Sequence, residues 1–273
     1  MTQEPEKASP AQAILKAMDR HCPVAQRRAM RRLLTPVAAS PIVLVERSIN
    51  SMPNAPAATR DRLLVTAMQL FWEKGYGSTS VADVLGAAKV NSGSLYHYFP
   101  GKQDLLLAVL EAYRRGIHAM LLAPAWKGIE DPIEKIFALL ARYRLSIVQT
   151  DCVYGCPIGS LALEIHEPDP PVRQAMADNF NAWVDAVELC LKDAASRLPT
   201  KIRRRELAEF VLTTMEGGVM QARTHRDVAF FDRAVRQLRQ YFDYLQQDGG
   251  SLPSKGSSPS RQRKTAGKKR TRS

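Results

Sequence analysis

The sequence predicts an all-α protein, on three observations. Apolar residues between 59 and 246 recur at three- and four-residue spacing, the period of one helix face. Gly and Pro punctuate the ends of those stretches. No alternating strand pattern or hairpin dipeptide competes with them.

About nine helices follow in order. Thr59–Lys74 carries apolar residues at 63, 64, 67, 68, 70 and 71, with Thr59 as N-cap and Gly75 as a left-handed stop. Ser80–Ala88 opens on Ser80 with Asp83 three residues on, a capping box in which Asp stands for Glu. Ser92–Tyr98 is short and aromatic, and Pro100-Gly101 breaks the chain after it. Lys102–Leu122 is a long amphipathic helix, ended by Pro124 and Gly128. Asp131–Val148 has Pro132 suited to a first helical turn. Gly155–His166 is shorter and bounded by Pro168, Pro170 and Pro171. Val172–Leu198 runs to Pro199, and Arg204–His225 and Phe230–Gln246 complete the set.

The ends differ in kind from this middle. The 273 residues carry a net charge of +12, yet residues 52–248 hold 23 basic and 23 acidic side chains. The excess lies in residues 1–51, with eight Lys/Arg against four Asp/Glu, and in 249–273, with eight Lys/Arg and no acid. The basic pI is therefore not evidence of a basic folded face. Residues 1–58 read as a disordered or weakly helical extension and a Pro/Ala linker. Residues 249–273 read as a disordered basic tail, too poor in apolar residues to offset the entropy of ordering. Met52 is taken as the native start; the rival is a basic arm in which Arg27, Arg28, Arg31 and Arg32 track a phosphate backbone.

Several classes are excluded. The longest stretch free of charged residues, Leu33–Val45, spans thirteen residues and holds two prolines, where a membrane-spanning helix needs ~20 apolar residues. Met1–Pro10 has no apolar core of a secretory signal, and four cysteines do not make a disulfide framework in a chain this long. The expectation is a reduced, cytoplasmic protein without a membrane partner.

Residues Ser80–Phe99 carry the most information. One helix ends near Ala88, Lys89-Val90-Asn91 makes a tight connection, and a second helix starts with the small polar residues Ser92, Gly93 and Ser94. This is what a helix-turn-helix needs: the first helix crosses the phosphate backbone and the start of the second enters the major groove. Leu95 and Phe99, four apart, face the core, which leaves Tyr96 and His97 outward. The free N–H groups at Ser80 suit a further phosphate. The net charge of residues 59–102 is only about +2, so binding leans on hydroxyls, backbone N–H groups and symmetry rather than on Lys/Arg number.

Residues 59–110, TRDRLLVTAMQLFWEKGYGSTSVADVLGAAKVNSGSLYHYFPGKQDLLLAVL, resemble the DNA-binding domain of the TetR/AcrR transcriptional regulators. The phrases FWEKGY, S-V-x-D-V-x-x-A-A-x-V and S-G-S-L-Y-H-Y-F-P-x-K-x-x-L carry the likeness. The resemblance implies a helix-turn-helix domain at 59–101 and a helical effector-binding and dimerisation domain at 102–248. It implies base-edge contacts from Ser92, Gly93 and Ser94, and phosphate contacts from Ser80, Tyr96, His97 and Lys102. Lys89 departs from the family's usual glycine in the turn; it either takes a positive φ or adds a phosphate contact.

The resemblance further implies a homodimer on a palindromic double-stranded DNA operator, responsive to a small-molecule effector. The dimer surface is assigned to Phe210, Thr214, Gly217 and Gly218 on one helix and Leu238 and Phe242 on the next. The effector candidates are Tyr113, Ile117, Trp126, Tyr143, Ile147, Cys156, Trp183 and Met215, with Met120, Leu121, Phe137, Leu140, Arg144, Leu161 and Val187 behind them. The stretch YGCPIGSLALEI at 154–165 resembles a phrase of one TetR subgroup in which the Cys lies near the ligand; Cys156 reads either as a sensor thiol or as a small buried hydrophobe.

No catalytic constellation is present: G-x-S-x-G, H-E-x-x-H and G-x-x-x-x-G-K-[ST] are all missing. Cys152, Cys156 and His166 lack zinc-ligand spacing. No enzyme, metal or cofactor is expected. Two rivals remain: a nonspecific nucleic-acid-coating protein working through its tail, and a helical ligand-binding protein without an operator.

Overall fold

The computed structural model describes the backbone of residues 56–250 and the side chains of residues 59–248. The expectations for the N-terminal extension up to residue 55 and for the tail beyond residue 250 lie outside them. The described part is all α-helical, as the spacing predicts.

Helix α1 (Pro56–Lys74), α2 (Val81–Ala88) and α3 (Ser92–Tyr98) form a head. Helix α1 begins at Pro56, so Thr59 lies inside it and is not its cap. Proline is compatible with a first turn, where its missing N–H has no partner to lose. Gly75 stops α1 with φ +88. Thr79, fully buried, closes the following turn by donating its hydroxyl to the carbonyls of Gly75 (2.7 Å) and Leu70 (3.3 Å).

Helix α4 (Lys102–Ile117) continues through a π-helical turn, His118–Leu122, into α5 (Ala123–Trp126). Pro124 does not break this rod, contrary to expectation. In an α-helix its ring would strike the carbonyl four residues back. Here the turn is widened, with the Ala123 N–H reaching the His118 carbonyl five residues back, and proline is accommodated.

Helix α6 (Pro132–Gln149) is capped by Asp131, whose side chain accepts from the N–H groups of Ile133 and Glu134. Helix α7 (Pro157–Glu164) is shorter than the segment expected. Helix α8 (Pro170–Asp193) starts on the two prolines taken as its upstream boundary, and a 3-10 turn, Ala195–Arg197, follows it. Helices α9 (Arg204–His225) and α10 (Ala229–Gly250) are the last two.

Two hydrophobic cores result. The head core joins Leu63, Phe71, Val84, Leu95 and Phe99 to Leu105, Leu106, Val109 and Leu110 of α4. It also takes Ile158 and Leu161 of α7 and Val172 and Met176 of α8. The body core gathers Leu122, Ile136, Leu140, Trp183, Val187, Val211, Met215, Phe231 and Phe242. Tyr143 packs against both. The α4–α5 rod thus roots its first half in the head and its far end in the body. Asn179 on α8 ties the rod down by donating its buried amide to the Leu110 carbonyl at 3.0 Å. Arg144 on α6 holds α10 through a bidentate pair with Asp232 at 2.7 and 2.9 Å.

Candidate nucleic-acid interface and effector cavity

Helix α2 is held by a complete capping box. The Ser80 hydroxyl accepts from the Asp83 N–H at 3.1 Å, and Asp83 Oδ2 accepts from the Ser80 N–H at 2.7 Å. Ser80 also donates its hydroxyl proton to Asp83 at 2.6 Å. These bonds hold the Asp83 carboxyl below its usual range. The hydroxyl of Ser80 is therefore committed inside the chain, and the N–H groups of the first turn are what this corner offers a phosphate.

Lys89 ends α2 in the left-handed conformation, φ 53 and ψ 48, and its N–H returns to the Gly86 and Leu85 carbonyls. The backbone takes the positive-φ conformation, and the exposed side chain stays open to a phosphate. The left-handed conformation costs a non-glycine residue about 1 kcal/mol.

Helix α3 is capped by Asn91, whose Oδ1 accepts from the Ser94 N–H at 2.9 Å, a role not read from the sequence. Leu95 and Phe99 are buried as expected. Ser92, Gly93 and His97 are exposed, Ser94 is half-buried, and Tyr96 is 54% exposed. Small residues at the start and polar rings on the next turn thus share one outward face. Lys102 is half-buried, its Nζ 4.2 Å from the centre of the Tyr76 ring. Burial lowers its pKa, while the Glu164 and Asp83 carboxylates nearby oppose that shift.

Between head and body lies a cavity of about 150 Å³. Of the effector candidates, Tyr113, Ile117, Tyr143, Ile147, Cys156 and Trp183 line it, together with Met120 and Leu121. Two primary candidates are corrected. Met215 is fully buried in the body core. Trp126 lies off the cavity, its indole donating to the Lys135 carbonyl at 2.9 Å. Phe137, Leu140 and Val187 belong to the body core and Leu161 to the head core, and Arg144 is taken up by Asp232.

Sequence reasoning missed Trp72, Arg142, Tyr154, Asn179, Phe180 and Glu216 on the cavity wall. For Glu216 a signal exists: it stands with Leu212 and Val219 at four- and three-residue spacing, an acid on an apolar stripe. Two polar atoms of the cavity are buried without a hydrogen-bond partner: Tyr113 Oη and Glu216 Oε1. Burial pushes up the pKa of Tyr113, Tyr143, Cys156 and Glu216 alike. Cys156 is 6% exposed, so its thiol is a buried and weakly acidic group rather than a ready nucleophile.

One cavity wall reaches directly to the head. Trp72 of α1 lines the cavity and donates its indole N–H to the Gly155 carbonyl at 2.8 Å. Cys156, Pro157 and Ile158 at the start of α7 line it too. At the other end of α7, Glu164 accepts from the backbone N–H groups of Tyr76 and Gly77 at 2.9 and 2.6 Å.

The assigned dimer residues divide. Phe210 is 49% exposed and meets Tyr241 edge-on at 6.0 Å, and a Cβ on Gly217 would find open space. Thr214 is half-buried beside Phe210 and Tyr241. Gly218, Leu238 and Phe242 are corrected, because their packing is within the chain. A Cβ on Gly218 would lie 3.0 Å from the Phe231 ring, Leu238 is buried in the body core, and Phe242 stacks edge-on against Phe137.

Among the described residues, no group of three or more His, Cys, Asp and Glu could hold a metal ion, and no helix is long and apolar enough to cross a membrane. A helix-turn-helix head joined through one long rod to a helical body, with a cavity between the two, has the architecture of a DNA-binding transcriptional regulator. The chain belongs to the TetR family: its residues 63–109 match the model of the bacterial regulatory proteins of that family. Residues 132–237 match the C-terminal domain of LmrA/YxaF-like transcriptional regulators. An uncharacterized HTH-type transcriptional regulator of Mycobacterium tuberculosis is 34% identical over 185 residues, covering 66% of this chain and 92% of that relative. The HTH-type transcriptional regulator LmrA of Bacillus subtilis is 26% identical over 170 residues, covering 62% and 88%. A TetR-family regulator from Agrobacterium tumefaciens superposes with a TM-score of 0.60 at 27% identity, covering 70% of this chain and 99% of that one.

Proposed function

We propose that the protein is a cytoplasmic homodimeric repressor that holds a palindromic operator and releases it when a small molecule enters the cavity between head and body. Ser92, Gly93 and Ser94 read base edges, while Tyr96, His97, Lys89 and the first turn of α2 position the protein on phosphates. Lys102 contributes positive potential from beside Tyr76. Two copies meet through the exposed outer face of α9 and α10 around Phe210, Gly217 and Tyr241, which sets the spacing of the two α3 helices.

The observation that carries the ligand-responsive part is α7. Its first residues wall the cavity and its last residue is hydrogen-bonded to the head. A ligand that favours one position of α7, or of the α4–α5 rod beside it, favours one orientation of the head. The operator-fitting state then loses population to the extent that the ligand binds the two states unequally. The test is to select DNA from a random pool with the full-length protein and titrate small molecules against the complex. A palindromic site whose occupancy falls with a cavity-binding compound supports the reading; a ligand that binds without changing occupancy contradicts it.

A further inference from the structure

The cavity walls are largely aromatic and apolar, with Trp72, Tyr113, Tyr143, Phe180 and Trp183 among them. Into this lining α9 places Glu216, one of whose carboxylate oxygens has no partner. Gly159 of α7 stands against that carboxylate, and a Cβ there would fall 2.2 Å from Glu216 Oε2, so a side chain at 159 would make the carboxylate shift. The Cys156 thiol lies within reach as a weak donor to it.

Among the described residues no Lys or Arg pairs with this acid: Arg223, which lies near it on the α7 side, donates instead to the Ser160 hydroxyl and the Val153 carbonyl. The groups acting on one another here are Tyr113 of α4, Tyr143 of α6, Cys156 before α7 and Glu216 of α9, all acids. The negative charge of Glu216 makes both Tyr143 and Cys156 harder to ionise. Arg142 also lines the cavity; burial lowers its pKa, and it is not among the groups that act on Glu216. An anion placed beside Glu216 would add to a field that already disfavours negative charge. A neutral hydroxyl would satisfy only the free oxygen. A cation satisfies the oxygen, supplies the missing countercharge and gains from the electron-rich faces of the rings.

Resting on the effector reading above, we infer that the cavity takes a small organic cation, a protonated amine on a compact apolar body, with its ammonium set against Glu216. The size follows from the volume: about 150 Å³ is the scale of a cavity that holds one benzene ring.

The probes are benzylamine, benzyl alcohol and benzoate, which share a shape and differ in charge. Each is titrated calorimetrically into the full-length protein without DNA. At pH 7.5 benzylamine binds at least tenfold more tightly than the other two. On acidification its affinity falls as Glu216, whose pKa burial has raised, takes up a proton, while the affinity for benzyl alcohol stays level. Tyr113, Tyr143 and Cys156 stay protonated and Arg142 stays charged throughout, so Glu216 alone changes state on the wall. Glu216→Gln removes the amine preference and retains benzyl alcohol binding. If that variant does not fold, the pH series on the natural protein decides. Benzoate binding more tightly than the amine, equal binding of amine and alcohol, or no binding of any probe overturns the inference. Gel shifts on the selected operator separate it from the regulator reading. An amine preference with no effect on operator occupancy supports the cation site and contradicts release. Release by an anion that outcompetes the amine keeps the regulator and overturns the cation site.

Discussion

Glu164, the last residue of α7, caps the turn that follows α1, its Oε1 accepting the Gly77 N–H at 2.6 Å and its Oε2 the Tyr76 N–H at 2.9 Å. The approach depends on two glycines. A Cβ on Gly75 would lie 2.8 Å from this carboxylate and one on Gly77 3.0 Å. The body thereby holds the head at the turn leading into α2, through a group placed on the helix whose other end walls the cavity.

Glu164→Ala removes these acceptors and loosens the head. Because the site is exposed, the cost is about 1 kcal/mol, the net worth of a typical hydrogen bond. Operator affinity, measured by fluorescence anisotropy, falls about threefold to tenfold. Ligand affinity, measured calorimetrically, stays within a factor of two. Unchanged operator affinity would mean that Glu164 does not orient the head.

The capping box makes the head sensitive to acid. The Asp83 carboxyl is held low mainly by the Ser80 hydroxyl and then by the Ser80 N–H. A depressed acid contributes stability above its ordinary value and loses it as pH falls through the folded value. Asp83→Asn therefore destabilises the protein in urea unfolding at pH 6, and the gap to the natural protein narrows as pH falls below the ordinary carboxylate range. A gap that stays constant with pH would assign the effect to shape rather than charge.

The outer face of α9 and α10 separates from the inner one by substitution. Phe210→Glu leaves a folded chain that light scattering finds as a monomer, with operator binding lost. Gly218→Arg forces a long side chain toward Phe231 and lowers the melting temperature instead. A folded Gly218→Arg monomer, or a stable Phe210→Glu dimer, would move the interface.

Buried thiols should react slowly. Cys152, Cys156 and Cys190 are all buried with raised pKa, Cys190 to about 11. Iodoacetamide at pH 7.5, followed by peptide mass spectrometry, should modify these three only after unfolding in urea. Fast alkylation of native Cys156 would restore the sensor reading.

The parts legible in the sequence are those where one local rule decides. Leu95 and Phe99 are four apart and so share a buried face, and Ser80 with Asp83 spells its own cap. Pro124 reads as a helix breaker because the π turn that makes room for it is invisible in apolar spacing. Gly218, Leu238 and Phe242 were misplaced because periodicity finds an apolar stripe but does not say whether another helix of the same chain covers it. Trp72 is illegible because a cavity is lined by residues from elements distant in sequence, and Glu216 marks an acid on the Leu212–Val219 stripe without saying what that stripe faces. Glu164 reads as an exposed acid at the end of a short helix until the fold sets it against the Tyr76–Gly77 turn.

The central claim is sequence-specific operator reading by α3, and selection of bound DNA from a random pool tests it most directly. It is run with the full-length protein, with protein lacking residues 249–273, and with Ser92→Ala and Ser94→Ala. The account predicts a palindrome whose half-sites lie ~34–36 Å apart, one helical turn. That site survives removal of the basic tail and changes base preference in the two serine variants. No enriched sequence, or binding that disappears with the tail, would contradict it.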